Sequence, residues 1–267
     1  MESYPVNVLL AVLAAFISVL LGFLPIKQLP ATFFRNHMGV VAILWLAVGL
    51  MMPGTLFFTV GIAGLSSIAW YLWRRELTLQ AKVWQSSAAA LGVSLGIISV
   101  LQNSPQSVPD GMPAAAQSWF LAGPFLVGAV LGTGYLLTAV AWQYSAVETD
   151  PQLVRAESGL LQTLLIWNLI TLGLQAVFAV CALLMLPSLY PDFGEPLVDR
   201  LTSFEPPGGQ GTLFAARIAL GFALPFGLVA WLWTHARSTP VARWFWWPLV
   251  AMVSTVVGQL LVLQLHI

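Results

Sequence analysis

The chain is built from apolar runs of about the length that crosses a bilayer, and its charges are kept out of them. A helix crossing the hydrocarbon needs about 20 predominantly apolar residues. Runs near that length occur at 6–25, 36–52, 55–73, 85–101, 118–143, 159–187, 212–234 and 246–265. All ten Asp and Glu lie outside them, and of the ten Lys and Arg only Arg217 lies well inside one. Charged residues make up 7% of the sequence, against about a quarter in soluble domains. In hydrocarbon the backbone must satisfy its own polar groups, so each run is expected to be helical and no strand is expected. The fold class that follows is all-α: a polytopic membrane helix bundle with eight transmembrane helices, forming one transmembrane domain over 1–267. The polar stretches 102–117 and 187–211 are too short and too rich in Pro and Gly to bury a core, and are expected as loops.

The second and third runs are separated only by Pro53 and Gly54, so a single kinked re-entrant segment competes with two crossings. The basic residues arbitrate. With eight spans, the odd-numbered loops carry Lys27, Arg35, Arg74, Arg75, Lys82, Arg155, Arg237 and Arg243, and the even-numbered ones carry only Arg200. That is the asymmetry of the positive-inside rule, and it places both termini outside. If 36–73 did not cross twice, Arg74, Arg75 and Lys82 would fall on the wrong face. The first run follows Met-Glu-Ser-Tyr-Pro without a basic segment or a small-residue cleavage site, so it is expected to stay as a helix rather than act as a cleaved signal. The inner loops are short and basic, which suits contact with anionic lipid headgroups. No nucleic-acid partner is expected.

Within the spans, Gly92 with Gly96 and Gly128 with Gly132 stand at the four-residue spacing that permits close helix contact. Pro124 and Pro225 are each expected to kink a helix. Trp70 with Trp73, and Trp244 with Trp246 and Trp247, are read as an interfacial aromatic belt at the inner boundary. Trp142, Gln162, Trp167 and Asn168 form a polar group in the inner half of helices five and six, expected to make interhelical hydrogen bonds. Tyr135 is expected to be an ordinary packing residue. The single Cys181 excludes disulfides and cysteine-ligated clusters within this chain.

Arg217 lies five or six residues inside the outer end of the seventh run, about 8 Å at 1.5 Å per residue. It either snorkels to the outer headgroups or faces the interior and donates hydrogen bonds to a polar ligand. Gln259 lies at similar depth on the eighth helix, with Gln264 and His266 nearer the outer surface, and one pocket could hold them together. Ion coupling usually needs a carboxylate or His inside the membrane, and no span holds Asp or Glu. Axial haem ligands are not expected, because His37, His235 and His266 stand at helix ends. No Walker A, HExxH or Ser-His-Asp pattern is present.

Three stretches carry a resemblance when taken in order: Gly-Thr-Leu-Phe-Phe-Thr-Val-Gly at 54–61 leading to Trp73-Arg74-Arg75; Ser-Val-Pro at 107–109 followed by Gly-Thr-Gly-Tyr-Leu-Leu at 132–137; and Ala-Arg-Ile-Ala-Leu at 216–220. In these, and in its eight haem-free spans with both ends outside, the chain resembles the membrane anchor subunit of dimethyl sulfoxide reductase-type molybdoenzyme complexes. The resemblance implies a multi-pass subunit of the bacterial inner (cytoplasmic) membrane that works in anaerobic respiration. It would oxidise menaquinol or another quinol and pass electrons to an iron–sulfur subunit, with molybdopterin in a separate catalytic subunit. Arg217 matches an arginine at the start of the family's seventh helix and would position a quinone carbonyl or stabilise anionic intermediates by charge-assisted hydrogen bonding. The family also carries a His-Leu-Gly-x-Pro segment after its second helix, where this chain has only Met51, Met52, Pro53 and Gly54. His266 or Asp110 on the outer side would have to replace that histidine. The quinol-site residues expected are therefore Arg217, Gln259, His266 and Asp110. A partner could dock on the outer segment 187–211, with Tyr190, Asp192, Glu195, Asp199 and Glu205, and on the 102–117 loop. Two other readings remain open: a small-solute transporter with Arg217 as anion contact, for which 1–117 and 118–267 give no convincing sequence repeat, and a purely structural membrane subunit.

Overall fold

A computed structural model of the chain describes residues 6–107, 114–145, 151–189, 199, 203, 211–235 and 241–264. Side chains at 103–107, 114–121, 145, 151–158, 182–183, 185–189, 241–245 and 258–264 are excepted. The described residues are helical, with short connections and no strand. The helices are α1 Val6–Phe23, α2 Ala31–Met51, α3 Leu56–Arg74, α4 Thr78–Ser107, α5 Ala114–Ser145, α6 Pro151–Leu189, α7 Gly211–Ile218, α8 Leu224–Thr234 and α9 Val241–Gln264. A π-helical segment, Ala219–Ala223, joins α7 to α8 into one rod. Seven helical rods are long and apolar enough to cross a membrane, and α9 adds a described apolar stretch, Trp246–Val257. The protein is a multi-pass membrane protein by this architecture. Several helices run past their apolar cores: α4 reaches Ser107 and α5 begins at Ala114, so most of the expected 102–117 loop is helix.

The division at Pro53 is a hairpin between two complete helices. Met51 ends α2, a single 3₁₀ turn covers Pro53–Thr55, and α3 runs back antiparallel. At one end Phe34 stacks on Trp73, with ring centroids 4.5 Å apart and planes at 14°. At the other end the space beside Gly49 is filled by Thr59 and Leu56. Two full-length helices, each long and apolar enough to cross, stand where a single kinked segment was the alternative.

The packing forms two rings of helices. In the first, α1 meets α2, α2 meets α3, α3 meets α4, and α4 returns to α1. In the second, α5 meets α6, α6 meets α8, the α7–α8 rod meets α9, and α9 returns to α5. The rings join chiefly where α5 lies against α1. Glycine makes that approach possible: a side chain at Gly128 would run into Val12 and Phe16, and one at Gly132 would come within 3.0 Å of Phe16 Cβ. The Gly92 and Gly96 pair does not form such a seam. Gly92 lies under the Trp45 ring of α2, whereas Gly96 faces Ala15 of α1 with room for a methyl group.

Lys82, Tyr144 and Trp73 fix which helix ends share a face. Phe23 ends α1, and its last carbonyls have no partner within the helix, as at every helix C-terminus. Lys82 of α4 reaches across and donates from Nζ to the carbonyls of Gly22 at 2.9 Å and of Leu21 and Leu24 at 3.4 Å, while lying 5.2 Å from the Phe34 ring centroid. A cation there also complements the negative end of the α1 dipole. The Tyr144 hydroxyl donates to the Gln28 carbonyl at 3.3 Å. These contacts put 21–37, 73–82 and the C-terminal part of α5 at one end, called here the basic end. Val8, Val12 and Val100 pack together with Phe125 at the opposite end. α3 closes at the basic end with Glu76 in the left-handed region (φ 59°). The Leu77 N–H bonds to the Leu72 carbonyl and the Glu76 N–H to the Trp73 carbonyl, the paired bonds of a Schellman cap.

Trp73 corrects the aromatic-belt expectation. It is 1% exposed, stacked on Phe34, and donates from Nε1 to Gln85 Oε1 at 3.3 Å. It is therefore a core residue of the first ring. Trp246, 61% exposed, and the half-buried Trp247 keep surface positions. The side chain of Trp244 lies outside the described residues.

Candidate functional site

Arg217 stands on the last turn of α7, six residues after the helix begins at Gly211. It is half-buried, and its Nε is buried without a hydrogen-bond partner among the described residues. Immediately beyond it the chain widens into the π segment. Pro225 accounts for this: it has no N–H to give the Gly221 carbonyl and its ring collides with the preceding turn. Inserting one residue relieves the clash, with the Leu224 N–H bonding to Ala219 five residues back. The loosened turn exposes the Leu220 carbonyl sideways, and Ser254 of α9 donates its hydroxyl to it. The kink expected at Pro225 therefore takes the form of a π bulge next to Arg217, a local irregularity frequent at functional sites. At Pro124, by contrast, α5 continues without a break.

None of the other members of the expected outer site has a described side chain. Gln259 lies within α9, but its side chain is outside the described residues; Asp110 and His266 lie outside them altogether. So do Tyr190, Asp192, Glu195 and Glu205 of the docking segment, whereas Asp199 is described and exposed. Among the described residues no group of His, Cys, Asp and Glu could hold a metal ion.

A second polar place lies toward the basic end, between the rings. His37 on α2 and Tyr135 on α5 are 2.6 Å apart from Nδ1 to the phenol oxygen, with ring centroids at 5.4 Å and planes at 89°. Phe33 packs on His37 with centroids 4.2 Å apart. His37 is six residues into α2 and Tyr135 ten before the end of α5, so both lie about 9–15 Å along their helices from the basic end. Beside them is a cavity of about 370 Å³. Its walls are Phe33, Asn36 and His37 from α2, Tyr135, Thr138, Ala139, Trp142 and Gln143 from α5, and Leu249 and Met252 from α9. Thr138 satisfies itself internally, donating to the Gly134 carbonyl at 2.8 Å and touching Met252 Sδ at 3.8 Å. Arg35 hydrogen-bonds Asn36 Oδ1 at 3.4 and 3.5 Å.

Of the inner polar group, Asn168 does what was expected. It is 3% exposed and its Nδ2 donates to Thr133 Oγ1 at 2.9 Å and to the Val130 carbonyl at 3.2 Å, tying α6 to α5. Trp167 faces outward at 54% exposed, and Trp142 instead lines the cavity. The reading of Tyr135 as a packing residue missed its bond to His37. The sequence carried little signal for it, because the apolar run beginning at residue 36 set His37 at a helix end, whereas α2 begins at Ala31 and carries it six residues inside. Compared with known proteins, the sequence and structure match no family model, no curated protein and no solved structure.

Proposed function

We propose that this chain is an integral membrane anchor subunit of a quinol-dependent oxidoreductase complex in a bacterial cytoplasmic membrane. In this reading α9 makes an eighth crossing and both termini face outward. The subunit oxidises menaquinol or a related quinol and passes electrons to an iron–sulfur partner, the molybdopterin being held by a further catalytic subunit. The motif order at 54–75, 107–137 and 216–220 supports it.

The observation that carries the reading is Arg217 Nε, buried in an apolar rod with no acceptor among the described residues. A donor on a charged group that is buried without a partner among the described residues is unfavourable, so an oxygen-bearing ligand there gains a charge-assisted bond. The adjoining π bulge gives the helix room to admit such a ligand. The missing histidine after α2 leaves His266 or Asp110 as the proton acceptor in this scheme.

The test is purification from the native membrane followed by quinol oxidation. Iron–sulfur and molybdenum subunits are expected to co-purify, and Arg217→Leu is expected to abolish quinol oxidation while leaving assembly intact. Unchanged turnover in Arg217→Leu overturns the role of Arg217, and a lone chain with solute flux in proteoliposomes overturns the whole reading. One observation favours that second, transporter reading: the same cyclic packing order recurs in the two rings, as in transporters built from repeats, and the cavity lies at their junction.

A further inference from the structure

We infer that the cavity at the basic end is a binding site for the ring of a neutral, lipid-borne quinone or quinol, distinct from the place occupied by Arg217. Four observations carry this. The cavity measures about 370 Å³, within the roughly 300–1,000 Å³ range of small-molecule sites. Among the described residues its walls contain no carboxylate and no cationic side chain, so a charged ligand finds no counter-charge on them in an apolar surround. Its aromatic faces come from Phe33, Tyr135 and Trp142, and Trp142 is 61% exposed on the outside of the bundle, giving an approach from the lipid.

The fourth is the His37–Tyr135 pair. If the phenol donates to His37 Nδ1, then His37 Nε2 carries the other proton; if Nδ1 carries the proton, the phenol hydrogen is released for use elsewhere. In either tautomer the pair retains one unspent donor, and the phenol oxygen retains acceptor capacity. That combination matches a ring oxygen in both the carbonyl and the hydroxyl form, which is what distinguishes a quinone or quinol from a simple apolar occupant. Asn36 and Gln143 add amides at the wall nearer the basic end. The site draws α2 from one ring and α5 and α9 from the other, so an occupied cavity bridges the two rings.

The inference does not rest on the quinol-oxidising role of Arg217, and one experiment separates them. The purified protein in lipid nanodiscs is titrated with 2-methyl-1,4-naphthoquinone by calorimetry, for the native sequence and for Tyr135→Phe, Ala139→Phe and Arg217→Leu. Tyr135→Phe removes one hydrogen-bonding group and is expected to weaken binding about tenfold. Ala139→Phe fills the cavity and is expected to remove this binding event, with Arg217→Leu leaving it in place. SDS-titration unfolding confirms that each variant is folded, and Asn36→Leu at the wall, expected to weaken binding, serves if Ala139→Phe is not. Native-like affinity in both Tyr135→Phe and the cavity-filling or wall variant overturns the proposal, as does loss of all naphthoquinone binding in Arg217→Leu.

Discussion

Gly128 and Gly96, one from each of two glycine pairs with identical spacing, are expected to respond oppositely to the same substitution. In Gly128→Ala the new Cβ collides with the Val12 side chain and comes within 3.2 Å of Phe16 Cδ2 and 3.3 Å of the Val12 carbonyl carbon. Val12 is β-branched and 1% exposed, so its single favoured helical rotamer cannot turn aside, and a backbone atom cannot yield at all. Relief requires α5 to move away from α1, which also opens the contact at Gly132. Overpacking of this kind costs about 1–3 kcal/mol, only partly offset by the roughly 1 kcal/mol that Ala gains over Gly in a helix. In Gly96→Ala the new Cβ meets Ala15 Cβ at 3.8 Å, ordinary dispersion contact, and the propensity gain is uncancelled. The two variants should therefore differ by about 2 kcal/mol, a factor of roughly 30 in the unfolding equilibrium. SDS-titration unfolding in mixed micelles, followed by tryptophan fluorescence, measures this. Equal destabilisation by both substitutions, or a neutral Gly128→Ala, would refute the assignment of the inter-ring seam to Gly128.

Three further outcomes follow from the same packing. Lys82→Met keeps the length of the side chain but removes its bonds to the Leu21, Gly22 and Leu24 carbonyls; a loss of about 2 kcal/mol is expected in SDS titration. Glu76→Gly relieves an L-residue held at positive φ and is expected to stabilise by about 1 kcal/mol, read by the same titration. Asn168→Leu deletes the bonds to Thr133 and Val130 and should cost about 0.5–2 kcal/mol, with protease sensitivity of the α5–α6 region rising in limited digestion.

Much of the fold was readable from where polar residues are excluded. The apolar runs locate the helices to within a few residues at most ends, and 36–73 forms two separate helices, each long enough to cross, as the charge alternation required. What the runs hide is which face of each helix turns inward. In water an amphipathic helix shows its buried face by contrast, but here lipid-facing and interior positions are both apolar. Phe57 is 86% exposed and Phe34 is fully buried, with nothing in the residue type to tell them apart. The same loss of contrast assigned Trp73 to the membrane boundary rather than the core. It also left His37 and Tyr135, 98 residues apart, unpaired on paper. Arg217 stood out because one guanidinium in a long apolar run is visible without knowing its orientation. The glycine pairs show the same limit from the other side, since spacing alone suggested two seams and only one exists.

The contact from Lys82 to the end of α1 has a bearing on how such a chain is made. During synthesis the first three helices leave the ribosome and enter the bilayer while the carbonyls at Gly22 and its neighbours still lack the ammonium that will neutralise them. Only when the fourth segment has been threaded does that partner arrive, from 60 residues downstream. The end of the first helix therefore gains its cationic cap only after the fourth segment has been made.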